Sequence, residues 1–315
     1  MEQVMQPADR AWSALLAASR AARNGLDAGR VVSFALDAAG LREVAPDARD
    51  AVLAWRPDAG WTADGAWGDG ANASLALYLP LCAAGPGRPL TVGHVGQSLD
   101  GYVATQTGDS QFVTGTENIV HLHRLRALCD AVVVGAGTVA GDDPRLTTRL
   151  VAGPNPLRVV LDPRRRLAAH HRVFTDGAAP TLLVCDAARA QPGERFGNAE
   201  VAGAPSRAGR FDLQAVLALL RRRGCHAVYV EGGGVTVSRF LEAGLLDRLH
   251  VAIAPLVIGH GRRGLQLPPV ERLQDSLRPA HRVFRMGADV LFDCDLRAGG
   301  PGPEAPAASP LARIH

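Results

Sequence analysis

The sequence predicts an α/β protein: a mixed, mostly parallel sheet flanked by helices, preceded by a small, mainly helical segment. Three observations carry that prediction. Short apolar runs, "LTVGHV" (90–95), "AVVV" (131–134), "LRVVL" (157–161) and "TLLVC" (181–185), alternate with stretches of helical period, the pattern of a sheet built from β–α units. Two apolar runs end in glycine turns, "VGAGT" (134–138) and "VEGGGVT" (230–236). The segment "HRVFRMGADVLFDC" (281–294) alternates about Gly287 and reads as a closing hairpin, an antiparallel edge.

Taken in order, residues 1–84 stand apart. They hold all four tryptophans (Trp12, Trp55, Trp61, Trp67) and an Ala-rich helical start, "AWSALLAASRAARNG", and "VVSFALDAAG" (31–40) reads as a second helix. Residues 85–89 read as a linker, being glycine and proline-rich. The domain that follows runs from 90 to 297. Within it, "TENIVHLHRLRALCD" (116–130) spaces Ile119, Leu122, Leu125 and Leu128 as a helix does. "DLQAVLALLRRRG" (212–224) is a helix with Asp212 as N-cap and Gly224 as stop. "HAVYVEGGG" is a strand entering a glycine turn, "VSRFLEAGLL" the next helix, and "LHVAIAPLVI" a further strand. The Pro/Gly/Ala-rich tail, 298–315, reads as disordered.

Composition bounds the function classes. At 47% hydrophobic and 21% charged the chain has the balance of a soluble globular protein, and a net charge of +3 argues for neither nucleic acid nor an acidic membrane surface. The five cysteines lie far apart with no CxxC pair, which suits reduced, buried thiols and excludes a structural zinc site. His121 and His123 are two apart on a helix, where a metal pair needs a spacing of three or four; no metal is expected. "MEQVMQPADRAW" has neither a basic n-region nor an apolar h-region, and no stretch reaches membrane-spanning length. The expectation is a cytoplasmic protein.

The glycine turns carry the chemistry. Neither is a Walker A loop, and neither matches G-x-G-x-x-G with an acid about twenty residues on. Each alone is as well explained by tight strand–helix packing. Two in one sheet point to a nucleotide, because ligands bind at the carboxyl ends of parallel strands and the following helix offers free N–H groups to an anion. Asp142 and Asp143 precede Pro144, as N-caps or Asx-turns do, or present a carboxylate to a ligand. Arg126 and Arg149 suit a phosphate monoester if the turn folds back on the helix. Glu231 closes an apolar strand just before three glycines, and a carboxylate there needs a partner.

Five co-linear segments complete the pattern: "QSLDGYVA" (97–104), "TGDSQFVTG" (107–115), "LRALCDAVVVGAGTVAGDDPRLTTR" (125–149), "LRVVLDP" (157–163) and "VEGGGVTVSRFLEAGLLDRLHVAIAPLVIG" (230–259). Together, over residues 90–297, they resemble the RibD C-terminal family, the reductase domain of riboflavin biosynthesis. The resemblance implies a dihydrofolate-reductase-like fold with a mixed eight-stranded sheet, a homodimer, and NADPH as cofactor. It implies a small phosphorylated pyrimidine substrate, 5-amino-6-(5-phosphoribosylamino)uracil, whose ribosylamino group is reduced to ribitylamino. In that likeness Thr138 and Asp142 contact NADPH, and Gly232, Gly233, Gly234, Val235, Thr236, Val237 and Ser238 cradle its phosphates. Ser110, Arg126, Leu146, Arg149 and Glu231 bind substrate, with Glu231, Asp142 or an ordered water as the candidate proton donor. The chain departs from the family at two pocket positions: His94 stands where lysine is typical, a titratable group placed among the catalytic candidates. Phe112 stands where tryptophan is frequent, keeping a stacking face for the cofactor without the indole donor. Residues 1–89 contain neither H-x-E nor P-C-x-x-C, so the zinc deaminase of the bifunctional relatives is not expected here. Two alternatives remain: a reductase of the same fold acting on another substrate such as a dihydropterin, and a non-catalytic NADPH-binding module.

Overall fold

The computed structural model describes residues 7–297 apart from 25, 27–28, 38–39, 47 and 64–66. The tail expected to be disordered lies outside the described residues. The chain divides into two compact units, residues 1–90 and 91–315.

The first unit contains α1 (Pro7–Arg23), the strands β1 (Val32–Asp37), β2 (Gly40–Val44), β3 (Leu53–Arg56) and β4 (Gly60–Ala63), and α2 (Asp69–Cys82). The strands form an antiparallel sheet in the order β2-β1-β3-β4. The helix expected over 31–40 is therefore a strand. Val32 and Phe34 bury their side chains, and the β1 backbone is paired on both edges by β2 and β3, so tertiary pairing overrides a weak helical pattern. Phe34, Trp55 and Trp61 pack their rings 5.3–5.4 Å apart, and the Trp61 indole donates to Cys82 O at 3.1 Å. Residues 85–88 are a tight turn closed by a Gly85–Arg88 bridge.

The second unit is built on one ten-stranded sheet. Its elements are β5 (Leu90–Ser98), β6 (Tyr102–Thr105), α3 (Thr116–Leu128), β7 (Ala131–Gly135), α4 (Ala136–Asp142), β8 (Leu157–Leu161), α5 (Arg172–Thr175), β9 (Thr181–Asp186) and β10 (Arg195–Phe196). There follow β11 (Ala199–Ala204), β12 (Ser206–Arg207), β13 (Arg210–Phe211), α6 (Leu213–Arg222), β14 (Ala227–Glu231), α7 (Gly234–Glu242), β15 (Arg248–Ala254), β16 (Gly261–Arg263), β17 (Ala280–Met286) and β18 (Asp289–Asp295). The sheet order is β10-β11-β9-β8-β7-β14-β5-β15-β18-β17, ten strands where eight were expected, β10 being a two-residue addition at one edge. From β11 through β14 the strands run parallel, as do β5 and β15, while the β17–β18 hairpin and β10 are antiparallel.

Local sequence explains these elements. β7 lies between β8 and β14, and Val132, Val133 and Val134 are wholly buried, the continuous apolar run of a strand covered on both faces. In α6 the Asp212 side chain accepts from Ala215 N at 3.0 Å, Val216, Leu217 and Leu220 turn inward, and Gly224 takes φ +79° just past the end. Helix α3 departs from its apolar spacing. Ile119 and Leu122 are half-buried, while Asn118, His121, His123 and Arg126 share the buried face with Leu125 and Leu128. All five cysteines are free and buried. Among the described residues no helix is long and apolar enough to cross a membrane.

Candidate active site

The carboxyl ends of β5, β7, β8 and β14 open into a cleft of about 940 Å³ within the second unit. Its floor is made by the two glycine turns, which meet at Gly135 and Thr236, while the loop at Gly264 closes on the second. A Cβ on Gly135 would lie 2.6 Å from Thr236 Oγ1, and one on Gly234 would lie 1.8 Å from the Gly264 carbonyl. Gly232 and Gly233 take φ of +89° and +32°, which turns the chain from β14 into α7 with no side chain capping the helix. Gly137 also lines the cleft, and a Cβ there would meet nothing within 4 Å: the space it leaves is cleft space. Glycine-walled room against an uncapped helix start could receive an anionic group.

Glu231 ends β14 on the cleft wall. Arg126, from the last turn of α3, grips it: Nε donates to Oε2 at 2.7 Å and Nη2 donates to Oε1, with both side chains about one-tenth exposed. Nη1 of Arg126 donates to Thr147 O at 3.1 Å. Burial opposes the charge on Arg126, but the Glu231 carboxylate prevails and holds its pKa above the usual arginine value. Arg126 is consequently packed behind Glu231 rather than on the cleft wall.

His94, on β5, lines the cleft with Asn118 and Thr114. Its Nε2 lies 3.0 Å from Asn118 Oδ1, while Asn118 Nδ2 donates to Thr114 Oγ1 at 2.9 Å, so Nε2 carries the ring proton and Nδ1 is the acceptor. Burial, then the neighbouring His250, pushes the His94 pKa down to about 3. The titratable group expected from the sequence is thus a neutral imidazole at physiological pH. Behind it His121 packs with its ring tilted, centroids 5.4 Å apart, and its Nε2 lies 3.1 Å from His250 Nδ1. His250 Nε2 in turn sits 3.2 Å from Asp293 Oδ1, close but off the line of a good hydrogen bond. His121 and His123 are both buried; His123 Nδ1 accepts from Arg149 N at 2.8 Å.

Asp142, last in α4, stands on the cleft wall facing Ser110 and Arg262. The residue as a whole is exposed, yet partial burial of its carboxyl raises the pKa, against the opposing pull of Arg262 and the Ser110 hydroxyl. Asp143 is structural: left-handed at φ +41°, it accepts from Arg172 N at 2.8 Å.

Of the residues singled out in the sequence, His94, Ser110, Thr138, Asp142, Glu231, Gly232, Gly233, Gly234, Val235 and Thr236 are brought together on the cleft wall. The others are not on it. Phe112 is 85% exposed at φ +61°, stacked on nothing in the cleft. Leu146 is buried, and Arg149 points its Nη1 to Thr147 Oγ1 at 2.6 Å. Val237 and Ser238 are buried under the glycine turn, where Ser238 Oγ accepts from Gln266 N at 2.8 Å and pins the 263–266 loop. Sequence reading missed Thr114 and Asn118, legible as an i, i+4 polar pair at the start of α3. It also missed cleft arginines 164, 166, 210, 239, 262 and 263; the "RRR" run at 164–166 directly after a strand was the signal. Among the described residues no cluster of three or more His, Cys, Asp or Glu could hold a metal.

The sequence pattern of the RibD C-terminal domain family matches residues 91–290, the span that forms the sheet and the cleft. The 2,5-diamino-6-ribosylamino-4(3H)-pyrimidinone 5′-phosphate reductase of Methanothermobacter thermautotrophicus is 36% identical over 217 residues, 65% of this chain and 97% of that one. The riboflavin biosynthesis protein RibD of Bacillus amyloliquefaciens is 36% identical over 214 residues, 67% of this chain and 57% of that protein, so this chain spans little more than half of RibD. Among solved structures, the diaminohydroxyphosphoribosylaminopyrimidine deaminase/5-amino-6-(5-phosphoribosylamino)uracil reductase of Thermotoga maritima is similar with a TM-score of 0.55 and 28% identity, covering 66% of this chain and 57% of that one. A matched span that coincides with the sheet, and relatives that share both sequence and fold over it, make this chain a member of the RibD C-terminal domain family.

Proposed function

We propose that the chain is an NADPH-dependent reductase of a 5-phosphoribosylaminopyrimidine, acting in riboflavin biosynthesis. The observation that carries the reading is the carboxylate of Glu231, clamped by Arg126 at the strand end where the glycine turn begins. A carboxylate fixed in this way is a rigid acceptor for substrate N–H or O–H groups. The names of the Methanothermobacter reductase and of the Thermotoga enzyme supply the substrate class.

When bound, NADPH supplies a hydride to C1′ of the ring-opened imine form of the substrate; one proton on nitrogen completes the reduction. Gly232–Gly234 and the start of α7 would hold the dinucleotide phosphates, with Thr138 beside them on the cleft wall. Glu231 enters as an acceptor and not as the proton donor, because both its oxygens already accept from Arg126. His94, neutral and with Nε2–H committed to Asn118, offers Nδ1 as a second acceptor. Asp142 is the candidate to deliver the proton, as the cleft carboxyl whose pKa burial raises, with Ser110 hydrogen-bonded to it. Arg126 is spent on Glu231, so Arg149, exposed and feeling the Arg126 charge, is the cation of this pair left for the substrate's phosphate.

The test follows NADPH oxidation at 340 nm with 5-amino-6-(5-phosphoribosylamino)uracil, its 2-amino counterpart and a dihydropterin, each with purified protein. Turnover on either phosphoribosylaminopyrimidine with none on the dihydropterin is the expected result. Turnover on the dihydropterin alone moves the chain to another substrate within the same fold. Tight NADPH binding without turnover on any of the three makes it a binding module.

A further inference from the structure

The turn that leaves α4, "DPRLTTR" (143–149), carries Arg149 but belongs to no helix or strand. Asp143 and Leu146 are left-handed in it, at φ +41° and +55°, a conformation that a leucine ordinarily avoids. Something has to hold the chain in that form, and the main chain does not. Past Asp143 N, which bonds Val139 O at 3.1 Å, no backbone–backbone hydrogen bond reaches residues 144–149 among the described residues.

Side chains from outside the turn take over. Asn155 Oδ1 accepts from Thr148 N at 2.7 Å, and His123 Nδ1 accepts from Arg149 N at 2.8 Å. Arg126 Nη1 donates to Thr147 O at 3.1 Å, and Arg158 Nη1 donates to Arg145 O at 3.2 Å. Three of these four holders have neighbours or duties already described. Arg158 has none. It lies on β8, off the cleft wall, and its side chain is wholly buried.

A buried guanidinium persists only where its donors are met. Arg158 Nε donates to Thr181 Oγ1 at 2.9 Å, Nη2 to Ala179 O at 2.8 Å and Nη1 to Asp176 Oδ1 at 2.8 Å. These three acceptors lie between α5 and β9; the remaining bond goes out to the turn. Helix α5 therefore reaches the turn from both ends. Its first residue, Arg172, donates N to Asp143 Oδ1 at 2.8 Å, and Asp176, just past its last, reaches Arg145 O through Arg158. The Arg145 carbonyl shares a rigid peptide plane with Leu146 N. With that plane pinned by Arg158 and Thr147 O pinned by Arg126, Leu146 cannot relax to a right-handed φ without breaking one of the two bonds. Thr147 Oγ1 is thereby left 2.6 Å from Arg149 Nη1, where it orients that guanidinium.

We propose that Arg158 is a positioning residue, which fixes the Arg145 carbonyl so that the 143–149 turn presents Arg149 to the substrate's phosphate. This rests on the reductase reading above and adds a residue that touches neither substrate nor cofactor. Lysine cannot replace it, since one ammonium lacks the planar fork that reaches four acceptors at once.

Steady-state kinetics on the phosphoribosylaminopyrimidine, with NADP⁺ affinity from calorimetry, test it in Arg158→Lys, Asp176→Asn, Arg149→Gln and the double variants R149Q/R158K and R149Q/D176N. Arg149→Gln should raise KM by about 10- to 100-fold, the loss of a charge-assisted phosphate contact. Arg158→Lys should raise KM by about 5- to 20-fold, with kcat within about threefold and NADP⁺ affinity within about twofold, because the reacting end is untouched. R149Q/R158K should stay within about twofold of R149Q alone, since Arg158 acts through Arg149. Asp176→Asn, at a side chain 21% exposed, is the milder change and carries the test if Arg158→Lys does not fold. It should raise KM by about two- to fivefold, an effect that vanishes in R149Q/D176N. An unchanged KM in the folded variants, a fall in kcat without a rise in KM, or effects that multiply in the double variants overturns the proposal and leaves the reductase reading intact. A parent protein that reduces no phosphoribosylaminopyrimidine defeats that reading and this one with it.

Discussion

The Arg126–Glu231 pair should be worth far more than its two hydrogen bonds suggest, and a double-mutant cycle measures how much. Arg126→Met leaves a buried carboxylate facing apolar packing, and Glu231→Leu leaves a buried guanidinium with only Thr147 O and His123 as partners. With each side chain about one-tenth exposed, water cannot replace the lost partner, and each single change should cost about 3–5 kcal/mol. For a unit spanning residues 91–315 that lowers the midpoint of thermal unfolding by roughly 6–20 °C. The double variant removes both charges and should return to within about 1 kcal/mol of the parent, because an apolar pair of similar volume is tolerated. Every tryptophan lies in the first unit, so unfolding is followed by far-UV circular dichroism, with tryptophan fluorescence recorded beside it to report on the first unit. Two singles that each cost under about 0.5 kcal/mol and add in the double would refute the claim that burial couples the pair. The double variant, though refolded, should remain inactive, since Glu231 is absent.

Other consequences follow from the same geometry. If Asp142 delivers the proton, its acid form is required, so kcat/KM should rise as pH falls from 8 towards the pKa of Asp142; D142N should flatten that limb and lower the rate by about 10²–10⁴-fold. His94 is neutral in the fold down to about pH 3, whereas an unfolded histidine takes up a proton near 6.5. The unfolded state thus binds more protons between these values, and native stability falls as pH drops through that window, by about 1.4 kcal/mol per pH unit at most from this residue. Denaturant titrations at pH 7, 6 and 5 should show a shallower decline for H94Q. Gly234→Ala places a methyl 1.8 Å from the Gly264 carbonyl and should abolish dinucleotide binding in calorimetry, with a stability loss above about 2 kcal/mol. Phe112→Ala, at an 85% exposed position, should leave stability within about 0.5 kcal/mol and NADPH affinity unchanged; a tenfold weaker affinity would restore Phe112 as a stacking group.

By itself the sequence determined the α/β alternation of the second unit, both glycine turns and the closing hairpin, because each is written in neighbouring residues. The valine run of β7, the Asp212 cap of α6 and the need for glycine at 232–234 act over a few positions of chain. Short-range rules also read Glu231 correctly as a carboxylate in want of a partner. The tertiary structure alone decided what that partner is. Arg126 lies 105 residues away, and nothing local says that its guanidinium closes on Glu231 rather than on a ligand. The same holds for His94, kept neutral by burial and then by His250 against the opposing pull of Asn118, and for β1, which became a strand because β2 and β3 paired with it. The "RRR" run at 164–166 stands out in the sequence, but that Arg164 and Arg166 share the cleft with Arg210 and Arg239 is decided only when β8, β13 and α7 are brought together. Propensity and turn chemistry are properties of a short stretch of backbone. Charge state and site membership depend on what crosses the interior, and that is settled only when the sheet is assembled.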